Sequence, residues 1–308
     1  MSDTERASES ELEFEPLSDE FKSDTPLWNR LSYPQQRLAR EAGFYGLLLV
    51  IVLTILFPLY WMFITSLRPR SEVLTRQPTV VPTELTMANY ERLFFFSDFL
   101  LYLQNTIVVM VGVVVITTTL ATLGGYGLTR FDIPYQDTFA RGILFGYMFP
   151  AILLAIPMYI LWSQLGIIDS YLGLMLAETA LALPFSLWVM WKFFQTVPPS
   201  LEESARMAGA SRFRTMVDVA LPIAKPGIVA VGIYSFAVSW NEYTLPKILM
   251  PGPDSFVITT GIQAFTEQNT VMWNQIMGAT FLASLPAFLF VYAFQKYLLS
   301  GFDPSDIG

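Results

Sequence analysis

Six long apolar blocks, almost free of charged side chains, are the feature that most limits how this chain can fold. Each is at least about 20 residues long, which is what an α-helix needs to cross a hydrocarbon layer of roughly 30 Å. Helices satisfy their own backbone groups in lipid, where an open chain has no other solution. The sequence therefore predicts an all-α membrane protein with six transmembrane helices, within residues 43–67, 104–129, 142–162, 171–194, 227–250 and 274–299.

Several residue types on which catalysis often depends are missing from this chain. It contains no Cys and no His, which excludes disulfides, thiolate nucleophiles, His-ligated metals and imidazole acid–base chemistry. A phosphate-binding loop of the form Gly-x-x-x-x-Gly-Lys-Ser/Thr is also absent, so the chain is not expected to bind ATP itself. We expect no catalytic residues, no metal and no cofactor, and we predict that the protein is not an enzyme.

Almost all of the net charge of −8 lies in the first 25 residues, which carry nine acids and two bases. An acidic segment that is poor in aromatics is typical of a solvated, disordered tail, and a salt-adapted host would also favour it. We predict a disordered, cytoplasmic N-terminal tail over residues 1–42, with no signal peptide, and a cytoplasmic C-terminal tail over residues 301–308.

The distribution of Lys and Arg predicts the orientation. With the N-terminus inside, the inner segments hold 13 of these residues and the outer segments hold 5. Basic residues accumulate in cytoplasmic loops, so we predict a multi-pass protein of the cell membrane with both termini inside. Arg68 and Arg70, just after the first apolar block, are the exceptions.

Residues 195–226 form a long inner loop with the signals of two short helices. Pro199 can open the first helix, and acids favour its first turn. Gly209 is suited to end that helix in a left-handed conformation, and Ser211 is suited to cap the second. The second helix is expected to carry an apolar stripe, which Pro222 and Pro226 would end: Phe213, Met216, Val217 and Ala220. By periodicity alone, the loop is either a partner-docking element or a surface connection.

This loop resembles the EAA loop of the permeases of ABC importers, which has the pattern Glu-Ala-Ala, three residues, Gly, about eleven residues and Leu-Pro. The matching positions are Glu203, Ser204, Ala205, Gly209, Leu221 and Pro222. Ser204 replaces the first Ala, and Ala208 replaces the usual Asp. The resemblance implies that these residues couple the chain to the ATPase subunits.

Other stretches resemble the maltose-type, carbohydrate-uptake branch of the same family. They are residues 58–68, residues 105–131 and the Trp240-Asn-Glu-Tyr243 motif, and the resemblance covers about residues 43–300. It implies a type I importer (MetI-like) permease fold, with a transmembrane core at about 101–297. The implied partners are a homologous second permease, two ATPase subunits, an extracytoplasmic solute-binding protein, membrane lipid and a sugar, with no nucleic acid. The tail 301–308 departs from the family's usual C-terminus.

Polar residues within the predicted spans are candidates for the translocation path, because ionisable groups at membrane depth normally face protein or water. These candidates are Glu178, Trp240, Asn241, Glu242 and Tyr243. Glu178 can instead pair with a neighbouring subunit, and Glu242 can lie at the outer interface. Pro184, Pro246 and Pro286 are each expected to break or bend a helix.

The predicted function is that of a permease subunit that moves a sugar by alternating access, driven by separate ATPase subunits. The alternatives are an importer permease for another small polar solute, an ion-coupled secondary transporter and an intramembrane enzyme. A secondary transporter is expected to show internal repeats or paired carboxylates at the midplane, and the chain shows neither.

Overall fold

The computed structural model describes residues 33–75, 79–266 and 271–300, and all regular secondary structure in these ranges is helical. The chain forms two compact units, residues 1–58 and residues 59–308. In chain order, the α-helices are α1 (Tyr33–Ser66), α2 (Arg70–Val73), α3 (Ala88–Phe95), α4 (Phe99–Arg130), α5 (Gln136–Tyr147), α6 (Ala151–Leu165), α7 (Tyr171–Gln195), α8 (Pro199–Met207), α9 (Arg212–Thr215), α10 (Leu221–Ile223), α11 (Lys225–Asn241), α12 (Thr244–Leu249), α13 (Ile258–Thr266) and α14 (Trp273–Ser300).

Four of the described helices are long and apolar enough to cross a membrane: α1, α4, α7 and the Trp273–Gln295 part of α14. Two further spans are possible if each of two bent helix pairs counts as one. These pairs are α5 with α6, and the helical segment Arg212–Ile223 with α11. The predicted spans therefore correspond to four continuous helices, the bent pair α5 and α6, and α11, which meets the helical segment before it at 78°.

The third predicted span, residues 142–162, is not one straight helix. Helix α5 ends at Tyr147, α6 begins at Ala151, and the two helices meet at 92°. Pro150 explains the break, because it has no backbone N–H and disfavours helical geometry at the residue before it. Pro150 itself has φ −65° and ψ 139°, an extended conformation at the start of α6.

The fifth predicted span, residues 227–250, is also interrupted. Helix α11 ends at Asn241, and a separate short helix, α12, runs over Thr244–Leu249. The side chain of Glu242 accepts hydrogen bonds from the backbone N–H groups of Thr244 and Leu245, at 2.8 and 3.1 Å. These amides have no partner within their own helix, so Glu242 stabilises a new helix start.

Two of the three prolines expected to break or bend a helix do not break one. Pro184 lies within α7 and Pro286 within α14, and both helices continue past them. Neighbouring helices and side chains can satisfy the backbone groups that a proline leaves free in a membrane helix. Pro246 lies in the first turn of α12, where its missing N–H costs little.

The centre of the second unit is formed by α4, which packs along α7, and by α11, which contacts both. Gly125 lies at a close approach of α4 to the backbone of α7. A Cβ atom at this position would lie 2.8 Å from the backbone nitrogen of Trp191 and 2.8 Å from the Cβ of Met190. Small residues at such crossings let the backbones of membrane helices approach each other.

Arg68 is folded into the protein beyond the end of α1. Its side chain is 1% exposed and lies 3.9 Å from the carboxylate of Glu72. It donates to the carbonyl oxygens of Thr79 and Val80, and its guanidinium lies 5.4 Å from the centre of the Trp61 ring. Arg68 therefore organises the segment that follows α1.

The predicted tails fall mostly outside the described residues. Residues 1–32 and 301–308 lie outside them, so their predicted disorder stays a prediction. Residues 33–42, assigned to the N-terminal tail by their charge, belong to α1 instead. Their first turns carry an exposed ion pair between Arg37 and Glu41, at 2.9 Å and four residues apart, which favours a helix.

Candidate functional site

The first half of the 195–226 loop is the nine-residue helix α8. Pro199 occupies its first turn, and the helix ends at Met207. Gly209 follows with φ 92°, and the N–H of Ala210 donates to the carbonyl of Ala205 at 3.1 Å. This is the usual way in which a glycine in the left-handed region ends a helix, as the sequence predicted. A Cβ atom at Gly209 would have no neighbour within 4 Å.

The second half of the loop begins as predicted and then departs from an ideal helix. The side chain of Ser211 accepts a hydrogen bond from the N–H of Arg214 and caps α9. Residues Met216–Ala220 form one turn of π-helix before α10. The wider turn changes which residues share a face, so the predicted stripe is only half correct. Met216 and Ala220 are buried, whereas Phe213 is 69% exposed.

The six residues matched to the EAA pattern lie mostly at the surface. Glu203, Ser204, Gly209 and Pro222 are exposed, while Ala205 and Leu221 are half-buried. Two large apolar side chains are exposed beside them, Met207 at 90% and Phe213 at 69%. Glycine and small side chains next to exposed apolar ones form a surface suited to contact with another protein.

Glu202 is the residue of this loop that sequence reasoning missed. It is the one buried residue of α8, at 4% exposure. Its carboxylate lies 2.7 Å from the Nε of Arg130 and accepts a hydrogen bond of 2.8 Å from the hydroxyl of Tyr126. We call these three side chains the Glu202 cluster. The sequence predicts Glu202 as an acid in the first turn of the helix but not its burial, because its partners are 72 and 76 residues away in the sequence.

Two of the predicted path residues are buried within the bundle. Glu178 on α7 is 1% exposed, and the Ser239 hydroxyl of α11 donates to its carboxylate at 2.5 Å. Trp240 is 5% exposed, and its Nε1 donates to the carbonyl of Ala283 on α14 at 3.2 Å. The hydrogen bonds of these two side chains link α11 to α7 and to α14.

The remaining three path candidates lie where α11 ends. The carboxylate of Glu242 is engaged with the first turn of α12, as described above. Asn241 and Tyr243 are exposed, and the Asn241 amide donates to the carbonyl of Ala237 on its own helix at 2.8 Å. Asn241 therefore keeps polar atoms on an open face of a membrane helix.

The sequence matches the family model described as "Binding-protein-dependent transport system inner membrane component", over residues 121–303. This match covers more than half of the chain. The chain belongs to this family. The matched region includes the 195–226 loop, which contains Glu202, and the polar residues at the end of α11.

Two relatives in the family match almost the whole chain. One is the inner membrane ABC transporter permease protein YcjP of Escherichia coli (strain K12), 29% identical over 269 residues, which cover 86% of this chain and 96% of the relative. The other is the diacetylchitobiose uptake system permease protein NgcG of Streptomyces coelicolor. It is 27% identical over 254 residues, which cover 82% of this chain and 84% of that protein.

A solved structure has the same fold. It is a chain in the crystal structure of a bacterial ABC transporter involved in the import of the acidic polysaccharide alginate. The TM-score is 0.73 at 22% identity, and the similarity covers 89% of this chain and 99% of that chain. The type I importer fold predicted from the sequence is thus confirmed. As a family member, the chain is a multi-pass component of the inner membrane with a transport function.

Proposed function

We propose that this chain is the permease subunit of an ABC importer that carries a sugar into the cell by alternating access. Membership of the binding-protein-dependent family supports the transport function. The similarity to a diacetylchitobiose uptake permease, together with the maltose-type motifs of residues 58–68 and 240–243, supports a carbohydrate substrate. Its partners are a homologous second permease, two ATPase subunits, an extracytoplasmic solute-binding protein and membrane lipid.

The exposed surface of the 195–226 loop is the observation that carries this proposal. We call the segment the coupling loop. It presents Glu203, Gly209 and the side chain of Met207 to the outside, and no described residue of the chain packs against a Cβ built at Gly209. A free apolar side chain beside a glycine in the left-handed region fits a helix–turn–helix element that inserts into a cleft of a partner protein. The ATPase subunit is that partner.

The path for the sugar runs along the open face of α11. Tyr234, Ala237 and Asn241 follow one another at helical spacing, and each is partly or fully exposed. The Tyr234 ring lies 4.6 Å from the Phe185 ring of α7, centre to centre, so the open face continues onto the next helix. Amide groups can bind sugar hydroxyls, and aromatic faces can cover the apolar faces of sugar rings. Glu178 and Trp240 hold α11 to α7 and α14, and Glu242 begins the helix that follows.

Both termini lie inside the cell in this proposal, in agreement with the 13-to-5 distribution of basic residues. Arg68, the main exception on the outer side, has a structural explanation, because it is buried and bonded to the segment that follows α1. The position of Arg68 is therefore explained by its contacts within the fold and is not evidence against this orientation.

Reconstitution tests the proposed function. The chain, its partner permease and its ATPase subunit are co-expressed, purified and placed in proteoliposomes, and ATP hydrolysis is measured with sugar-loaded binding protein. We expect the ATPase to co-purify, and hydrolysis to rise only with the loaded binding protein. A chain that retains no ATPase, or hydrolysis that responds to no sugar, contradicts the proposal.

A second measurement tests the orientation. The native chain has no Cys, so single Cys residues at Met207 and Phe96 give clean labelling sites. Both side chains are highly exposed, at 90% and 77%. With the chain expressed without its ATPase subunit, which would cover position 207, a membrane-impermeant thiol reagent applied to intact cells is expected to label position 96 and to reach position 207 only after permeabilisation. The reverse pattern means that the topology is inverted.

A further inference from the structure

Helix α8 is attached to the membrane bundle through a buried polar side chain. The other end of the coupling loop is held by apolar packing, since Met216 and Ala220 lie in one buried cluster with Met190 and Phe194 of α7. In α8, by contrast, the one buried side chain is a carboxylate, Glu202. Its exposed apolar residues, Leu201 and Met207, point away from the bundle. A polar group therefore anchors α8 to the bundle, whereas apolar contacts anchor the other end of the loop.

The partners of Glu202 all belong to the last turns of α4. Arg130 and Tyr126 lie four residues apart on that helix and reach the same carboxylate. Arg130 also donates to the carbonyl of Val197 at 2.8 Å, just before α8 begins. The end of α4 thus holds both the start of α8 and the chain that enters it.

Two more arginines line the small cavity beside this carboxylate. Arg206 and Arg212 line the same small cavity as Glu202, Tyr126 and Arg130. Arg212 also lies over the Phe131 ring at 5.8 Å. The cavity therefore gathers three cationic side chains, from α4, α8 and α9, around one buried carboxylate that is paired with Arg130.

Charge pairs of this kind fix geometry more strictly than apolar contacts do. When the two members of a short, desolvated charge pair separate, each buried charge is left without its partner, which is costly. The pair therefore holds α8 and α4 in one relative position. Apolar surfaces can slide over one another at little cost. Since α4 packs along α7 and contacts α11, a displacement of α8 that keeps the pair intact must displace this core.

We propose that the Glu202 cluster is the rigid link through which movement of the coupling loop reaches α4, and from there α7 and α11. Glu202, Arg130 and Tyr126 are positioning residues: they touch neither sugar nor nucleotide. The exposed surface of α8 binds the ATPase, and the buried Glu202 transmits the movement. This inference rests on the proposed function, because it names the part of the coupling loop that carries the mechanical connection.

The test uses the complete complex in proteoliposomes, with Glu202→Gln, Arg130→Gln and the double variant. We expect each single variant to retain a full complement of ATPase subunits. The ratio of sugar transported to ATP hydrolysed is expected to fall by about fivefold or more, in the range typical of coupling between sites. The double variant should lose no more than either single variant, because the two residues act as one unit.

Glu41→Gln is the matched control, since it breaks an exposed Arg–Glu pair of similar length, 2.9 Å, on α1. It should leave the ratio unchanged. Tyr126→Phe removes a single hydroxyl from the cluster and serves if a charge variant fails to assemble; it should lower the ratio as well. An unchanged ratio in any assembled variant of the cluster, or additive losses in the double variant, overturns the proposal. Failure of the wild-type complex to couple hydrolysis to sugar would instead refute the proposed function.

Discussion

Gly209 offers a way to separate backbone strain from docking at the coupling loop. Its φ of 92° lies in the left-handed region, where a residue with a Cβ atom is penalised by about 1 kcal/mol or more. Asn tolerates positive φ better than Ala or Val does, although it is larger than Ala. Because a Cβ at Gly209 would have no neighbour within 4 Å, none of these substitutions should create a clash near the Cβ within the chain itself.

Strain and docking therefore predict different orders of severity for Gly209→Ala, Gly209→Asn and Gly209→Val. If strain alone matters, Asn is the mildest change and Val the most severe. If the coupling loop enters a tight cleft of the ATPase, Asn and Val both lose binding, and Ala loses less. Close packing at such an interface leaves little spare volume.

The assay measures two quantities for each variant. The amount of chain inserted into membranes should equal that of the wild type, because hydrophobicity of the spans drives insertion. The ATPase subunit retained per permease should fall about tenfold or more for Asn and Val, the result of roughly 1.4 kcal/mol of lost binding energy. A Gly209→Asn protein that binds ATPase and transports sugar as the wild type does would refute docking at this residue.

Four further variants test other parts of the structure. Gly125→Ala should destabilise the purified chain by about 1–3 kcal/mol, because the new Cβ meets the backbone of Trp191. Gly232→Ala, whose Cβ would have no neighbour within 4 Å, should instead stabilise it by about 0.5–1 kcal/mol. Thermal unfolding in detergent compares the two variants. Ser239→Ala removes the hydroxyl bonded to the buried Glu178 and should cost about 1–3 kcal/mol in the same assay, with equal stability as the contrary result. Asn241→Ala should lower the sugar transport rate of a fully assembled complex, and wild-type transport at all sugar concentrations would remove Asn241 from the path.

The fold was largely predictable because apolar length is a local signal. The four continuous spans need only a count of uncharged residues, and the end of α8 at Gly209 needs only the conformational preference of glycine. The interrupted spans were not foreseen, since a proline interrupts a helix only where neighbours fail to satisfy the free backbone groups. Pro150 and Pro184 show both outcomes in one chain.

The candidate site was harder to predict, because it depends on which side chains meet. Glu202 and Glu203 are adjacent and chemically identical, but one is buried against Arg130 while the other is exposed. The π-helical turn at Met216–Ala220 likewise altered the predicted apolar stripe, since a period of 3.6 residues does not apply there. Sequence position alone carries no information on contacts 70 residues away.

The hydrogen-bond partners of a polar residue inside an apolar segment therefore decide whether it is a candidate for the path. Glu178 is bonded to Ser239 of another helix, and Glu242 is bonded to the amides that begin α12. Both carboxylates have hydrogen-bond partners within the fold, and these contacts compensate part of the cost of placing them in an apolar segment. Asn241 differs, because its amide is bonded to its own helix and its side chain remains exposed. An open polar group in a membrane segment is stable against water, a partner subunit or a polar solute, so Asn241 is the path candidate that the Asn241→Ala variant tests.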